Sequence, residues 1–400
     1  MARWILAAIV LAAASGCNQM TAEFDEQKIK AEKRWYSARS RVLYRLAENR
    51  FAGGELESAR KSVEQALVMD PQFTEAELLL ARIQIEEGQY ASALAALRKA
   101  AEGDPNSSET AYLLGVAQEK TGKLDDALAS YRLAYALDEQ NMSAVKATAE
   151  VLVAKADIRQ AQIYIDSFLP KADEDPGMHE LAGRLAMMQK EYAKAAEHYE
   201  HASDLDYKNV RYQEELGRAH YSAGQLERAA DALSALVASK DYKAPTWVYM
   251  MLGDCRLSRG RARQAFEAYY SASERSPESP AVWTGVAKSA LAMGDAPRAI
   301  LAARKALQLA PDDVDATLLL GYALLRSGQA SSAVQTLTRA ASEHPDNSMI
   351  HCVLGRAHAA RGGSAAAIRC YTEALRVDPR NSVARALLEA AGREQLSKAN

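Results

Sequence analysis

The side chains that could do chemistry in this 400-residue chain are few and scattered. There are seven histidines, at 179, 198, 201, 220, 344, 351 and 358. Of these, His198 and His201 lie at i, i+3, the spacing that puts two imidazoles on one helix face. Two such ligands, with no acidic or cysteine partner at metal spacing, make a poor zinc site. The chain has no H-E-x-x-H, C-x-x-C, G-x-S-x-G or phosphate-loop motif. The expectation is therefore no metal, no cofactor and no catalytic residue. Four cysteines in this length cannot staple a disulfide scaffold.

The elements that must carry these residues emerge from composition and then from a period. The chain is 25% charged and 48% hydrophobic with a formal net charge of −3, which excludes a disordered tail and a strongly basic nucleic-acid binder. Prolines 71, 105, 277, 311, 345 and 379 fall into groups spaced by 34 residues. Units of that length begin at Ser40, Thr74, Ser108, Met142, Pro176 and Val210, and after a two-residue slip at Thr246, Pro280, Val314 and Ser348. Position 20 is alanine in all ten units, from Ala59 to Ala367. Position 8 is glycine or alanine throughout, position 24 is often tyrosine (Tyr131, Tyr199, Tyr269, Tyr371), and position 15 is usually glycine.

Each unit reads as a helical hairpin. Apolar positions 4, 7, 8 and 11 repeat as one helix face does, and positions 17, 20, 24 and 27 make a second. Small residues at 8 and 20 let the helices approach, and proline at 32 ends the second helix. One hairpin cannot bury its own apolar face, so neighbours must stack. In this register His179 and His351 fall at position 4, and His220 and His358 at position 11. They read as packing residues in aromatic slots. Cys255 reads as a packed thiol, and Cys352 and Cys370 sit at positions 5 and 23 of the last unit, with a disulfide between them left open.

This pattern resembles the tetratricopeptide repeat (TPR) family, over about residues 40–381. The resemblance implies an all-α, right-handed α-solenoid of about ten hairpins plus a C-terminal capping helix, with a concave face made by the first helices. Unit four departs most: Thr148 replaces the position-7 leucine, Ala156 the turn glycine, and an acidic loop follows at 171–177. The cap, 382–400, offers Val383, Ala386, Leu387 and Ala390 as its apolar face.

Residues 1–17 carry a basic start, an apolar run from Trp4 to Ala14, and small residues before Cys17. That order is a signal peptide, and Ala14-Ser15-Gly16-Cys17 resembles the lipobox of bacterial lipoproteins, in which the cysteine is lipidated and becomes the new amino terminus. The expected organisation is a signal peptide at 1–17, a tether and leading helix at 18–39, units 1–6 at 40–243, units 7–10 at 244–381, and the cap. The expected location is the bacterial envelope, lipid-anchored at the outer membrane and facing the periplasm.

In the TPR family positions 2, 5, 9, 12 and 13 line the groove. Units five to seven place Arg184, Met187, Met188, Arg211, Arg218, Tyr221, Trp247, Met250 and Leu257 there. Tryptophan, methionines and flanking arginines suit an apolar peptide or helix carrying acidic groups. The resulting expectation is a non-catalytic scaffold holding a protein partner in a pilus, secretion or polysaccharide-export machine, or for a peptidoglycan hydrolase. Two alternatives stand beside it. One is an envelope-polymer-modifying enzyme using Glu150, Glu180 and Glu214, although a wide groove offers little of the dry cleft such carboxylates need. The other is a self-assembling structural lipoprotein. Residues 101–210 hold 11 Lys/Arg against 20 Asp/Glu, whereas residues 211–400 hold 24 against 19, so the charge is uneven along the chain.

Overall fold

The computed structural model describes residues 2–239 and 242–399, with side chains for 26–239 and 242–393. Cys17 and the apolar run before it lie outside the residues whose side chains are described. Among the described residues every regular element is a helix, and no helix is long and apolar enough to cross a membrane.

The chain forms two compact units, Met1–Glu174 and Asp175–Asn400. The first holds four hairpins: α1 (Ala2–Ala52) with α2 (Leu56–Met69), α3 (Thr74–Glu86) with α4 (Tyr90–Gly103), α5 (Ser108–Lys120) with α6 (Leu124–Leu137), and α7 (Met142–Ala154) with α8 (Ile158–Phe168). A short 3₁₀ turn, Leu169–Lys171, follows. The second unit holds six: α9 (Pro176–Met188) with α10 (Tyr192–Leu205), α11 (Val210–Ser222) with α12 (Leu226–Ala238), α13 (Thr246–Ser258) with α14 (Ala262–Arg275), α15 (Pro280–Ala292) with α16 (Ala296–Leu309), α17 (Val314–Arg326) with α18 (Ala330–Glu343), and α19 (Ser348–Ala360) with α20 (Ser364–Val377). The capping helix α21 (Ser382–Ala399) closes it.

From the second repeat on, each first helix begins at the residue where the 34-residue register starts a unit. All ten position-20 alanines are completely buried. The residue before each position-32 proline is extended, as at Asp70 (φ −136°, ψ 88°) and Asp378 (φ −131°, ψ 96°), because proline excludes helical backbone from its predecessor. Position 8 is small for a reason the register alone does not give. A Cβ on Gly115 would stand 2.5 Å from the ring of Tyr131, and one on Gly355 2.4 Å from that of Tyr371. The position-24 side chain fills the place that the missing Cβ vacates.

Two further contacts fix the stack, one within a repeat and one between repeats. Position-1 serines cap the second helix of their own hairpin: Ser40, Ser108 and Ser348 donate to the carbonyls of Ala66, Ala134 and Ala374 at 2.8–2.9 Å. Position-4 side chains of one repeat donate to the position-32 carbonyl of the one before, Trp283 to Pro277 and Gln213 to Tyr207.

Four features bear on the expected organisation. The two compact units meet in sequence at 174/175, in the acidic loop. The register slip is bridged by one continuous core in which Leu233, Leu236, Ala244, Val248 and Leu252 pack together. In α21 the buried face is one residue off: Ala384 is fully buried and Leu387 packs beside it, while Val383 is 47% exposed. At the other end α1 is one helix from Ala2, so the backbone of the segment expected as a tether is helical. Residues 18–40 contain no glycine or proline to interrupt it.

Candidate partner-binding groove

The nine residues expected to line a groove all belong to the second unit, on α9, α11 and α13. The structure joins several of them and draws others inward. Arg211 on α11 is exposed and pairs with Glu180 on α9 at 2.9 Å. Arg218, two turns further along the same face of α11, sets its guanidinium 4.0 Å above the ring of Trp247 on α13 and reaches Glu215 at 3.4 Å. Tyr221 donates to Asp254 at 3.3 Å.

The tryptophan is covered on two sides. Trp247 is half-buried, packed against the core of α12 and α13 on one side and stacked under Arg218 on another. A guanidinium is weakly hydrated and lies flat on an indole, which favours covering the ring over leaving it in water. Met187 packs on the Tyr199 cluster, and Met250 and Leu257 on the core around Tyr269. Met188 stays 48% exposed and Arg184 half-buried. The surface this leaves is a row of polar and aromatic groups over an apolar floor.

Asp254 was missed, although it sits at position 9 of the same register. It accepts from Tyr221 and also from Tyr269 on α14 at 2.5 Å. Glu214 accepts from Tyr242 in the slip segment. Burial first, then the neighbouring carboxylate, pushes the phenols of Tyr269, Tyr221 and Tyr242 above their ordinary value. Burial, then Asp254, lifts the Cys255 thiol to about 11, so it is a packed thiol and no nucleophile at neutral pH.

The histidines behave as packing residues. His351 contacts the carbonyl of Pro345 at 2.8 Å, the role that Trp283 plays two repeats earlier. His220 is buried, 2.7 Å from Gln225. His201 stacks on His179 with ring centres 5.2 Å apart, and among the described residues no three ligand side chains are arranged to hold a metal. Cys352 and Cys370 are both free thiols. The carboxylates considered for catalysis are engaged singly, Glu180 with Arg211 and Glu214 with Tyr242.

The first unit has a recess of its own, about 350 Å³, lined by Tyr44, Glu48 and Phe51 of α1, Glu75, Leu78 and Arg82 of α3, and Glu109 of α5. Tyr44 donates to Glu48 at 2.7 Å, and Arg82 reaches Glu109 at 3.4 Å while lying over Phe51. These side chains hold the same register positions as the groove residues of the second unit, which is the signal that could have found them.

Family models described as tetratricopeptide repeat match residues 50–131 and 290–357, and 180–280, together more than half of the chain. The chain belongs to the tetratricopeptide repeat family. In fold this TPR protein is similar to a tetratricopeptide repeat protein from Parabacteroides merdae, at 14% identity, over 63% of this chain and 99% of that one, TM-score 0.45. It is similar also to pilF of Pseudomonas aeruginosa, at 19% identity over 52% and 96%, TM-score 0.44. A third is the Cut9–Hcn1 hetero-tetramer of APC/C, at 13% identity over 91% and 98%, TM-score 0.42. No curated protein matches the chain by sequence. A TPR array is a protein-interaction scaffold, and that is the class to which this chain's architecture assigns it.

Proposed function

We propose that this TPR protein is a non-catalytic, lipid-anchored scaffold of the bacterial envelope. It holds a protein partner on the periplasmic side through the row formed by α9, α11 and α13. The observation that carries the binding surface is the Arg218–Trp247 stack. The same three helices carry the Tyr221–Asp254 hydrogen bond and the half-buried Met250 and Leu257. Arginine and tryptophan in that arrangement are the side chains from which interface anchors are most often made. The partner that fits is an apolar segment carrying carboxylates, which can meet Arg218 and Arg211 in exchange for their present partners Glu215 and Glu180.

The anchor rests on the Gly16-Cys17 junction behind an apolar run of signal-peptide length. Acyl chains there supply about 0.8 kcal/mol per buried CH₂, enough in number to hold the protein at a membrane. The location facing the periplasm follows from that anchor. A component of a pilus, secretion or polysaccharide-export assembly, or of a peptidoglycan-hydrolase complex, is the class of partner such a site would serve.

Two measurements test the two halves separately. Metabolic labelling with palmitate is expected to mark the chain and to be lost in Cys17→Ser; labelling that persists removes the anchor. Crosslinking in intact cells from a photoreactive residue at position 222, beside Tyr221, is expected to trap a partner that Arg218→Ala with Trp247→Ala no longer traps. The same adduct in both proteins removes the groove.

A further inference from the structure

The hairpins of the second unit have two ends, and their charges differ. At one end are the turns between first and second helices, which in the last five of its six hairpins are residues 222–228, 258–264, 292–298, 326–332 and 360–366. Those five turns hold seven arginines and two carboxylates, Glu227 and Asp295. At the other end are the loops that follow the second helices, considered for the last four hairpins. Loops 276–279, 310–313, 344–347 and 378–381 hold five carboxylates, among them Asp312, Asp346 and Asp378, and one cation, Arg380. Helices of 13 or 14 residues separate the ends, about 20 Å at 1.5 Å per residue.

The basic end is exposed and only partly neutralised. Glu227 is shared by Arg259 and Arg261, and Asp295 pairs with Arg298 at 3.3 Å. Arg228, Arg263 and Arg326 are exposed and make no ion pair among the described residues. Between the turns lies an open recess lined by Arg261, Arg263, Gln264, Met293, Asp295 and Arg298. The field is felt nearby: burial, then Arg361 and Arg369, hold His358 below the ordinary histidine value.

We propose that this arginine-lined end of the second unit rests on an anionic phospholipid surface. A protein partner would need an apolar centre to its interface, and the turns supply mainly alanine, arginine, glycine and serine, with Leu226 and Met293 their large apolar side chains. What they do supply is a row of cations with long stems on one edge, which suits a broad sheet of phosphates, each arginine near such a surface contributing about 1 kcal/mol. The carboxylates at the far end are repelled by the same surface, so the attraction is oriented: hairpins stand on their turns, loops away. This goes beyond the partner-binding reading and does not depend on the groove or on acylation of Cys17.

The experiment is an arginine footprint. The full chain is mixed with vesicles of phosphatidylcholine alone, or of phosphatidylcholine with phosphatidylglycerol, treated with phenylglyoxal, and mapped by mass spectrometry. Modification of Arg228, Arg263 and Arg326 is expected to slow several-fold on the anionic vesicles only, and to recover at about 0.5 M salt, where the Debye length shrinks below 5 Å. Arg380, at the acidic end, is expected to stay reactive. The variant Arg228→Gln with Arg263→Gln and Arg326→Gln removes no ion pair, so it is expected to melt like the parent and to bind anionic vesicles at least ~10-fold more weakly. Equal protection on both vesicle types, undiminished binding by the folded variant, or protection in solution that rises with protein concentration each overturns the proposal. The last would point to a second copy instead. Palmitate labelling reads the anchor and groove crosslinking reads the partner, so neither failure can be mistaken for this one.

Discussion

Tyr269 of α14 donates its hydroxyl to Asp254 of α13 at 2.5 Å, while its ring closes over two glycines of successive first helices. A Cβ on Gly253 would stand 2.7 Å from that ring, and one on Gly285 2.5 Å. One side chain therefore locks a hairpin internally and fixes the approach of the next.

Asp254→Ala is expected to destabilise the second unit by about 2–3 kcal/mol, because it leaves a buried phenol without its charged acceptor. Tyr221 loses its acceptor in the same step. The urea midpoint should fall, and Asp254→Asn, which keeps an acceptor oxygen, should recover part of the loss. Equal stability of Asp254→Ala and the parent would mean that the two phenols find water instead.

Gly285→Ala should cost about 1–3 kcal/mol as an overpacked core position. The added methyl meets the Tyr269 ring, and that ring cannot retreat because Gly253 stands on its other side. Gly217→Ala, whose Cβ meets only the end of the Leu233 side chain at 2.6 Å, should cost less, since a leucine can change rotamer. Thermal melts of the two variants give the comparison, and the order Gly285 before Gly217 is the expected result.

Raised tyrosines also set an alkaline limit. The phenols of Tyr44, Tyr131, Tyr199, Tyr242 and Tyr269 lie well above their ordinary 10, and Tyr371 is pushed up to about 12, in each case by burial first. An unfolded chain releases those protons near pH 10 while the folded chain keeps them. Above that pH the unfolded state binds fewer protons, so stability falls as pH rises. The urea midpoint is expected to be insensitive to these groups below pH 10 and to drop steadily between 10 and 12. Phenolate absorbance should grow in step with unfolding, not ahead of it.

How far the sequence could be read depended on what the repeat averages over. Alanine at position 20 announces helix contact in all ten copies and proline at position 32 the helix end in six, and the 34-residue spacing carries those bounds to the remaining copies. Position 254 was different. An aspartate there gains meaning only when Tyr221 and Tyr269 converge on it from two other helices, and no period reports such convergence. At Trp247 the register gives the position, while the cover over its ring comes from Arg218 on the preceding first helix, a contact between repeats that no period reports. The break between the units was read as a departure at Ala156 and the acidic loop, though not as the place where the chain divides. The arginine-rich turns were visible as residues and hidden as a pattern, because the charge sum along the chain mixes the two ends of every hairpin.

The turns themselves offer a gain in stability. Eight repeats place glycine at position 15 with φ between 72° and 83°, but Ala156 and Lys190 occupy the same position at φ 61° and 62°. A side chain in left-handed backbone costs roughly 1–2 kcal/mol, whereas glycine costs about 0.4–1 kcal/mol through the freedom it adds to the unfolded chain. The strain is the larger quantity, so Ala156→Gly and Lys190→Gly are each expected to stabilise by about 0.5–1 kcal/mol. The conventional expectation for exposed positions is the reverse, glycine being the weaker residue. Differential scanning calorimetry decides it: a raised midpoint for both variants supports left-handed turns in repeats four and five, and a lowered midpoint means that those two hairpins relax their turns by another route.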